Sequence, residues 1–344
     1  MKRKCHASFI QPLGGRYCTT VLRGGGTGPG TPDGYNTCHT FEGGGQRFLL
    51  LSLDWRASDA TIAWAEAKLN EYHNVPTILT LPPVKVLPPV AADRVVIPGT
   101  AAYWRFEGQS GVSVPQGGIA VRDLSGNGND LTRVTLPNGA STDMVYTQEF
   151  HPAQPSRGSL FINGNSSQGG AYLRTADTAP LNSQTFKNGY TVEAFVRMPE
   201  NCCGVDPWMG VLARQGTQGD LGITTAGDPN NPAVTVSPSA EFQWAIQPFT
   251  QPDLATNWSF RTPVLTWYHV ALVNDGKTTK LFINGSEDVR NSHDLSVGLE
   301  STGEFWMVGA TQYGRVVGPA LYGWLGDVRI VNRPLSVREF MISR

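Results

Sequence analysis

The sequence predicts a mainly β protein, an antiparallel β-sandwich over residues 99–344 preceded by a small α/β unit. Turn chemistry near the C-terminus is the first reason. Residues 269–274 (HVALVN) alternate as a half-buried strand does, and Asp275-Gly276 is a two-residue hairpin signal. Residues 280–283 (KLFI) return as the partner strand, and Asn284-Gly285 turns the chain again. Two tight turns around short strands describe an antiparallel meander rather than a parallel sheet. Composition is the second reason. With Gly 39, Pro 24 and only 16% charged residues, the chain lacks the charge that long exposed helices carry, about a quarter of an average sequence. The third is repetition: from residue 100 onward, short strand-like segments such as AAYWRFEG, GSLFINGN, YTVEAFVRM, FQWAIQP and YGWLGDVRIVN alternate with turn residues.

In chain order, residues 1–34 are irregular and glycine-rich, with too few apolar side chains for a core. Within residues 35–83, RFLLLSLD (47–54) reads as a buried strand. Ser58 is placed to cap a helix, and Ile62, Ala65, Leu69 and Tyr72 recur at helical spacing. Residues 77–81 form the next strand, so the unit reads strand–helix–strand, the signature of a parallel pair. Residues 84–98 carry Pro88, Pro89 and Pro98 and read as a linker. The sandwich follows over residues 99–344, and Ser336 can cap one helical turn near its end.

Charge narrows the function classes. With 27 basic and 28 acidic residues, the formal net charge is −1, which gives a phosphate backbone nothing to hold and excludes nucleic acid as the expected partner. No apolar run reaches the roughly 20 residues that span a bilayer. The start MKRKCHASF is positive, but no apolar core follows, so it is not a complete signal peptide. The five cysteines include the adjacent pair Cys202-Cys203, and spacing alone does not set their pairing. The sequence does not set the oligomeric state.

Five segments in order carry a resemblance over residues 100–344: YWRFEG (103–108), DLSGNGNDL (123–131), YTVEAFVRM (190–198), WYHVALVNDGKTTKLFING (267–285) and GWLGDVRIVNRPLS (323–336). Together they resemble the laminin-G-like, or concanavalin A-like, jelly roll. The resemblance implies a sandwich of two antiparallel sheets in an extracellular protein. Residues 35–80 are similar to an internal piece of a secreted calcineurin-like metallophosphoesterase, a family that joins two metal ions to a phosphate ester. The family's ligand motifs (D-x-H, G-D-x-x-x-D, G-N-H-[DE], G-H-x-H) do not occur here, so no catalytic residue is carried over. The segment reads as a fragment of such a domain.

Several sharper readings compete with plain ones. The glycine clusters 24–26 and 43–45 lack the Gly-Lys-Ser/Thr of a phosphate loop and read as turns. Cys5-His6, Cys18 and Cys38-His39 lack paired C-x-x-C spacing, which argues against zinc. His269 reads as a packed strand residue rather than a catalytic base, and no strand carries a close glutamate pair for glycoside cleavage.

DLSGNGNDL has two readings. Asp, Asn and turn carbonyls are hard oxygen ligands of the kind Ca²⁺ selects. In jelly rolls of this type a carboxylate on the last long strand completes such a site, and the resemblance then implies Asp327, Asn127, the Gly128 carbonyl and Glu107 as ligands of a structural calcium. Alternatively, Asp123 and Asn127 only cap the turn.

Aromatic faces stack on the apolar C–H faces of sugars. Among nine tryptophans, Trp64, Trp244, Trp267 and Trp306 read as core, whereas Trp208, Trp258 and Tyr313 sit in turn-rich contexts and are the candidate ligand contacts. The sequence therefore leads to a non-catalytic binding or adhesion module for carbohydrate or cell-surface material. The alternatives are a phosphoesterase with an accessory jelly roll and a purely structural scaffold. Asn165, Asn257 and Asn284 open glycosylation sequons.

Overall fold

The computed structural model describes residues 20–22, 37–43, 45–53, 59–80, 95–203, 208–214, 231–247, 256–288, 298–299, 301, 303–313 and 316–343. The chain divides into two compact units, Met1–Val86 and Leu87–Arg344.

The first unit holds β1 (Thr20–Leu22), β2 (Thr37–Gly43), β3 (Gln46–Ser52), α1 (Asp59–Glu71) and β4 (Thr77–Thr80), in sheet order β1-β2-β3-β4. β3 and β4 are parallel, with Leu49 opposite Thr77, and α1 makes the crossover, as the strand–helix–strand reading expects. The β2–β3 hairpin extends that reading. Its turn passes through Gly45 at φ +78°, which confirms a turn role for the second glycine cluster. Leu49 and Leu51 are buried with Cys38, and Trp64, Tyr72 and Val75 pack against them. Cys38 is a free thiol. The proposed cap Ser58 lies outside the described residues, as do Cys5, His6 and Cys18.

In the second unit the strands run β5 (Thr100–Trp104), β6 (Leu131–Thr135), β7 (Met144–Thr147), β8 (Ser159–Asn163), β9 (Ala171–Thr175) and β10 (Tyr190–Arg197). Then come β11 (Met209–Arg214), β12 (Asn231–Val236), β13 (Phe242–Gln247), β14 (Thr256–Trp258) and β15 (Trp267–Asn274). The last are β16 (Thr279–Ile283), β17 (Ser286–Asp288), β18 (Trp306–Val308), β19 (Ala310–Tyr313), β20 (Val316–Ala320) and β21 (Tyr322–Val331). One sheet runs β17-β16-β15-β10-β21-β8-β7, with β5 also on β21. The other runs β14-β13-β12-β11-β18-β9-β6. Every pairing within these two sheets is antiparallel. β19 and β20 form a separate hairpin.

The core between the sheets is built from alternate strand residues: Val192, Ala194 and Val196 of β10, Leu325, Val328 and Ile330 of β21, and Leu212, Trp244, Trp306 and Val308 facing them. The meander is present, with one correction. Register pairs Asn274 with Thr279, so the first turn holds four residues rather than two. Asp275 holds that longer loop by accepting from the amides of Lys277 and Thr278 at 2.9 and 2.8 Å. The second turn is the expected two-residue type, with Asn284 and Gly285 at φ +51° and +78°. β6, β7, β12, β14, β17, β19 and β20 are additional to the strands read from the sequence.

Where the linker was expected, residues 81–94 lie outside the described set, but Val95 is buried and packs with Tyr103, Phe195 and Met341. This cluster lies on the face of the β10–β21 sheet opposite the core. A second cluster of Ala271, Val273, Phe282, Leu335 and Phe340 covers more of that face. Ser336 takes part in the tail's turn, through its amide and hydroxyl to Glu339 Oε2 at 3.0 and 2.9 Å, and the turn is 3-10 over Val337–Glu339.

Candidate functional site

Three side-chain groups set the chemistry of this unit. Beneath the C-terminal tail lies a buried ion network. Glu193, His269 and Arg329 are all fully buried on adjacent strands. Arg329 Nε donates to Glu193 Oε2 at 2.7 Å, and Nη2 makes a shorter contact with the same oxygen. Arg329 also donates to the carbonyls of Val95 and Glu339, at 2.9 and 2.8 Å. Glu193 Oε1 accepts from the Met341 amide at 2.7 Å and lies 3.0 Å from His269 Nε2. Burial pushes the Glu193 carboxyl up, but Arg329, His269 and the Met341 amide together hold it below its ordinary value. His269 is thus a packed strand residue, its ring tilted against Phe195 and Phe340 at centroid distances of 5.0 and 5.7 Å. This network ties the tail and Val95 to the sheet.

A second group surrounds Asp327. Between Ala194 and Val196 the β10–β21 register slips, so one extra residue of β21 is accommodated around Gly326-Asp327. The bulge turns Asp327 away from the sandwich core. Tyr103 Oη donates to Asp327 Oδ2 at 2.7 Å, and the Ser156 amide donates to it at 3.2 Å. Ser156 Oγ donates to Oδ1, and Arg105 Nε lies 3.9 Å from Oδ2. Burial outweighs these donors and pushes the Asp327 carboxyl up to about 6, with Glu107 adding to the rise. His151, its ring tilted against Phe195 at 5.1 Å, is pushed down to about 3 by burial, with His269 contributing.

Of the four residues implied for calcium, Asn127 and Asp327 are engaged in hydrogen bonds. Asn127 uses its amide nitrogen, donating to the Thr100 and Ala101 carbonyls at 2.8 and 3.0 Å. Asp123 accepts from the amides of Tyr103, Ser125 and Asn129 at 3.0, 2.9 and 3.0 Å, and from Ser125 Oγ at 2.7 Å. Gly128 is an exposed turn residue at φ +79°, and Glu107 is exposed. Asp327 has its own partners, none shared with Asn127. Among the described residues, no group of three or more His, Cys, Asp or Glu side chains is placed to hold a metal. The donors present fit a self-capped turn, with Asp123 holding four hydrogen bonds.

The third group is aromatic and lies at one end of the sandwich. Trp208, just before β11, is 38% exposed and has φ +67°. Its ring meets that of Trp258, on edge strand β14, edge-to-face at 5.2 Å. Phe260 is 61% exposed, and Leu265, 48% exposed, also has a positive φ of 61°. Positive φ at a bulky residue costs free energy that the surrounding structure must supply, and such residues concentrate at binding sites. Leu265 is anchored by its amide to the Met198 carbonyl at 2.8 Å, beside the joined pair Cys202–Cys203. Tyr313 lies in the β19–β20 hairpin opposite Val316, and its side chain is outside the described residues. β19 runs against β11, since a Cβ on Gly210 would meet the Ala310 carbonyl carbon at 2.0 Å. Of the tryptophans expected in the core, Trp244 and Trp306 are there, while Trp64 and Trp267 are only half buried. Sequence reading did not single out Phe260 or Leu265, because nothing in the sequence shows that either side chain stays out of the core.

Two packed antiparallel sheets, each joining strands distant in sequence, define a β-sandwich. The chain belongs to the concanavalin A-like lectin/glucanases superfamily, which matches residues 167–340, just over half of its 344 residues. No curated protein matches the sequence at a significant level. Among solved structures, one similar fold is domain 4 of AbnA, a GH43 extracellular arabinanase from Geobacillus stearothermophilus, in complex with arabinotriose. It is 15% identical with a TM-score of 0.44, over 71% of this chain and 96% of that one. The botulinum neurotoxin serotype G binding domain is 13% identical with a TM-score of 0.43, over 71% of this chain and 50% of its own. Trypanosoma rangeli sialidase with the inhibitor DANA is 14% identical with a TM-score of 0.44, over 90% of this chain and 41% of its own. Likenesses this distant carry no argument about ligand or chemistry.

Proposed function

We propose that the Leu87–Arg344 unit is a non-catalytic binding module for carbohydrate, of the kind displayed on cell surfaces or in the extracellular matrix. The ligand sits on the Trp208–Trp258 edge. The observation that carries this is Trp208 itself, a large aromatic side chain held 38% exposed on a left-handed backbone beside a second tryptophan. An indole offers a flat apolar face for sugar C–H groups and an N–H for a hydroxyl. Tyr313 is kept as a candidate contact on its sequence context alone. The first unit receives no catalytic role. Its parallel β3–β4 pair with the α1 crossover is a strand–helix–strand unit common to many α/β folds, and the phosphoesterase resemblance rests on the sequence of residues 35–80 alone. An extracellular location accompanies this reading.

The test is a glycan array with the full chain, repeated with Trp208→Ala and Trp258→Ala. Binding that falls at least tenfold in both variants, with melting unchanged, supports the proposal. No wild-type binding to any glycan sinks it and leaves a scaffold role.

A further inference from the structure

Of the chain's cysteines, only Cys202 and Cys203 fall in the Leu87–Arg344 unit, and they are bonded to each other. Their sequence separation is 1, so the bond joins no two elements of the sandwich. A disulfide stabilises a fold chiefly by restricting the unfolded chain, and the effect grows with the length of the loop it closes. Between neighbours that contribution is at its smallest. The consequence of this bond is therefore local.

Locally, it sits at the root of the tryptophan edge. β10 ends at Arg197, and the chain then turns through Cys202, whose amide donates to the Pro199 carbonyl at 3.0 Å. Cys203 is buried within the core, while Cys202 is half-buried and packs against it. The residues just before the pair also hold the neighbouring segment. The Met198 carbonyl accepts from the Leu265 amide at 2.8 Å, and Arg197 Nε donates to the Leu265 carbonyl at 3.2 Å. Leu265, with its positive φ, is thus fixed on both sides by the stretch that leads into the bonded turn. Trp208, the other positive-φ residue of the edge, follows the pair closely in sequence. Its ring meets that of Trp258, and the segment after Trp258 carries Leu265. Both halves of the edge therefore adjoin this turn, one through the chain and one through hydrogen bonds.

We propose that Cys202–Cys203 is a reversible redox site that controls the tryptophan edge, with a dithiol reductant as co-reactant. A thiolate of the reductant attacks Cys202 Sγ, on the less buried residue of the pair. The S–S bond breaks, and the Cys203 sulfur leaves as a thiolate and takes up a proton. The reductant's second thiol then displaces Cys202 Sγ from the mixed disulfide, and that sulfur is protonated in turn. The protein gains a pair of electrons and a pair of protons, and the reductant becomes a cyclic disulfide. With the bond open, the turn after Met198 is no longer closed on itself, and Trp208 and Leu265 lose their fixed base. In oxidising surroundings the bond persists and the edge stays assembled. The ligand assigned to that edge rests on the carbohydrate reading above, but the redox site does not.

Mass spectrometry and tryptophan fluorescence of the full chain, with no ligand present, test it. Iodoacetamide under denaturing, non-reducing conditions is expected to leave both cysteines unlabelled. Native incubation with dithiothreitol is expected to make both available for labelling in a chain that stays folded by far-UV circular dichroism. On reduction the emission shifts to longer wavelength and acrylamide quenches it more strongly, and both changes are absent from Trp208→Phe. Cys202→Ser combined with Cys203→Ser shows the reduced spectrum throughout and does not respond to dithiothreitol, which separates this pair from the cysteines of the first unit. Melting of the sandwich falls by less than about 5 °C on reduction, below what a fold-spanning disulfide contributes. Labelling of the pair without reductant shows that there is no bond and overturns the proposal. Reduction that occurs only after unfolding, or a larger fall in Tm, makes the bond a structural one and also overturns it. An emission unchanged by reduction overturns control of the edge. None of these readouts involves a ligand, so their failure spares the carbohydrate reading, and a glycan array without binding spares the redox site.

Discussion

Substituting Glu193→Ala should unfold the sandwich under conditions where the wild type is stable. Glu193 and Arg329 are both fully buried, and Arg329 directs two nitrogens at one Glu193 oxygen. Removing the carboxylate leaves a guanidinium in the interior with only carbonyls for company, which costs about 3–5 kcal/mol. The Met341 amide and His269 Nε2 lose their acceptor as well, and an orphaned buried donor adds about 1 kcal/mol or more. Because these terms share one network they do not sum fully, and a total of about 4–6 kcal/mol is expected. At about 2–4 °C per kcal/mol for a domain of this size, Tm falls by about 8–24 °C. Urea unfolding followed by tryptophan fluorescence measures this on the full chain, with the transition of the sandwich resolved from that of the first unit. Replacing both partners, as Glu193→Leu with Arg329→Met, should recover most of the loss, since a paired buried charge is itself costly. A Glu193→Ala chain within about 1 kcal/mol of wild type would show that the network holds nothing, and the reasoning would be wrong.

Three further outcomes follow from the same geometry. Asp327 has a folded pKa raised to about 6, above the ordinary 3.8, so its contribution to stability is present below the ordinary value and lost as pH rises through about 6. The cost of Asp327→Asn, read by urea unfolding, should therefore shrink between about pH 4 and about pH 8, by roughly 3 kcal/mol at full ionisation; a constant cost refutes the buried-acid account. Asp123→Ala removes the acceptor of four hydrogen bonds and should destabilise the sandwich by about 2–4 kcal/mol, measured the same way, whereas a change under 1 kcal/mol would contradict the turn's role. Excess calcium or a chelator should shift Tm by less than about 1 °C, since a ligand stabilises only by binding the folded form; a rise of several degrees with calcium would restore a metal role for the turn or for Asp327.

Much of the fold was legible because it is written in local chemistry. Asn284-Gly285 announces its turn through a backbone conformation that few other pairs adopt. The alternation in YTVEAFVRM and YHVALVN names both the strands and their inward faces. Strands such as Asn231–Val236 were less visible, since a proline at the second position speaks against a strand. The candidate site was legible only in part. Trp208 and Trp258 stood out by their turn-rich neighbourhoods, but their ring contact depends on strands distant in sequence. A cross-strand row such as Trp267–Arg197–Trp324–Phe161 could not be read at all, because it exists only through long-range register, and register is set by the whole sheet. Asp327 shows the opposite hazard. Resemblance named it as a metal ligand, but its hydrogen bonds with Tyr103 and Ser156 come from segments distant in sequence and could not be read from its own neighbours.

Carbohydrate binding at the exposed tryptophan edge is the property on which the function turns. Calorimetric titration of a glycan positive on the array, into wild type and into Trp208→Ala, tests it most directly. Saturable binding by the wild type is expected, with at least a tenfold loss in a variant that melts at the wild-type temperature. Equal affinity in the two proteins would contradict it.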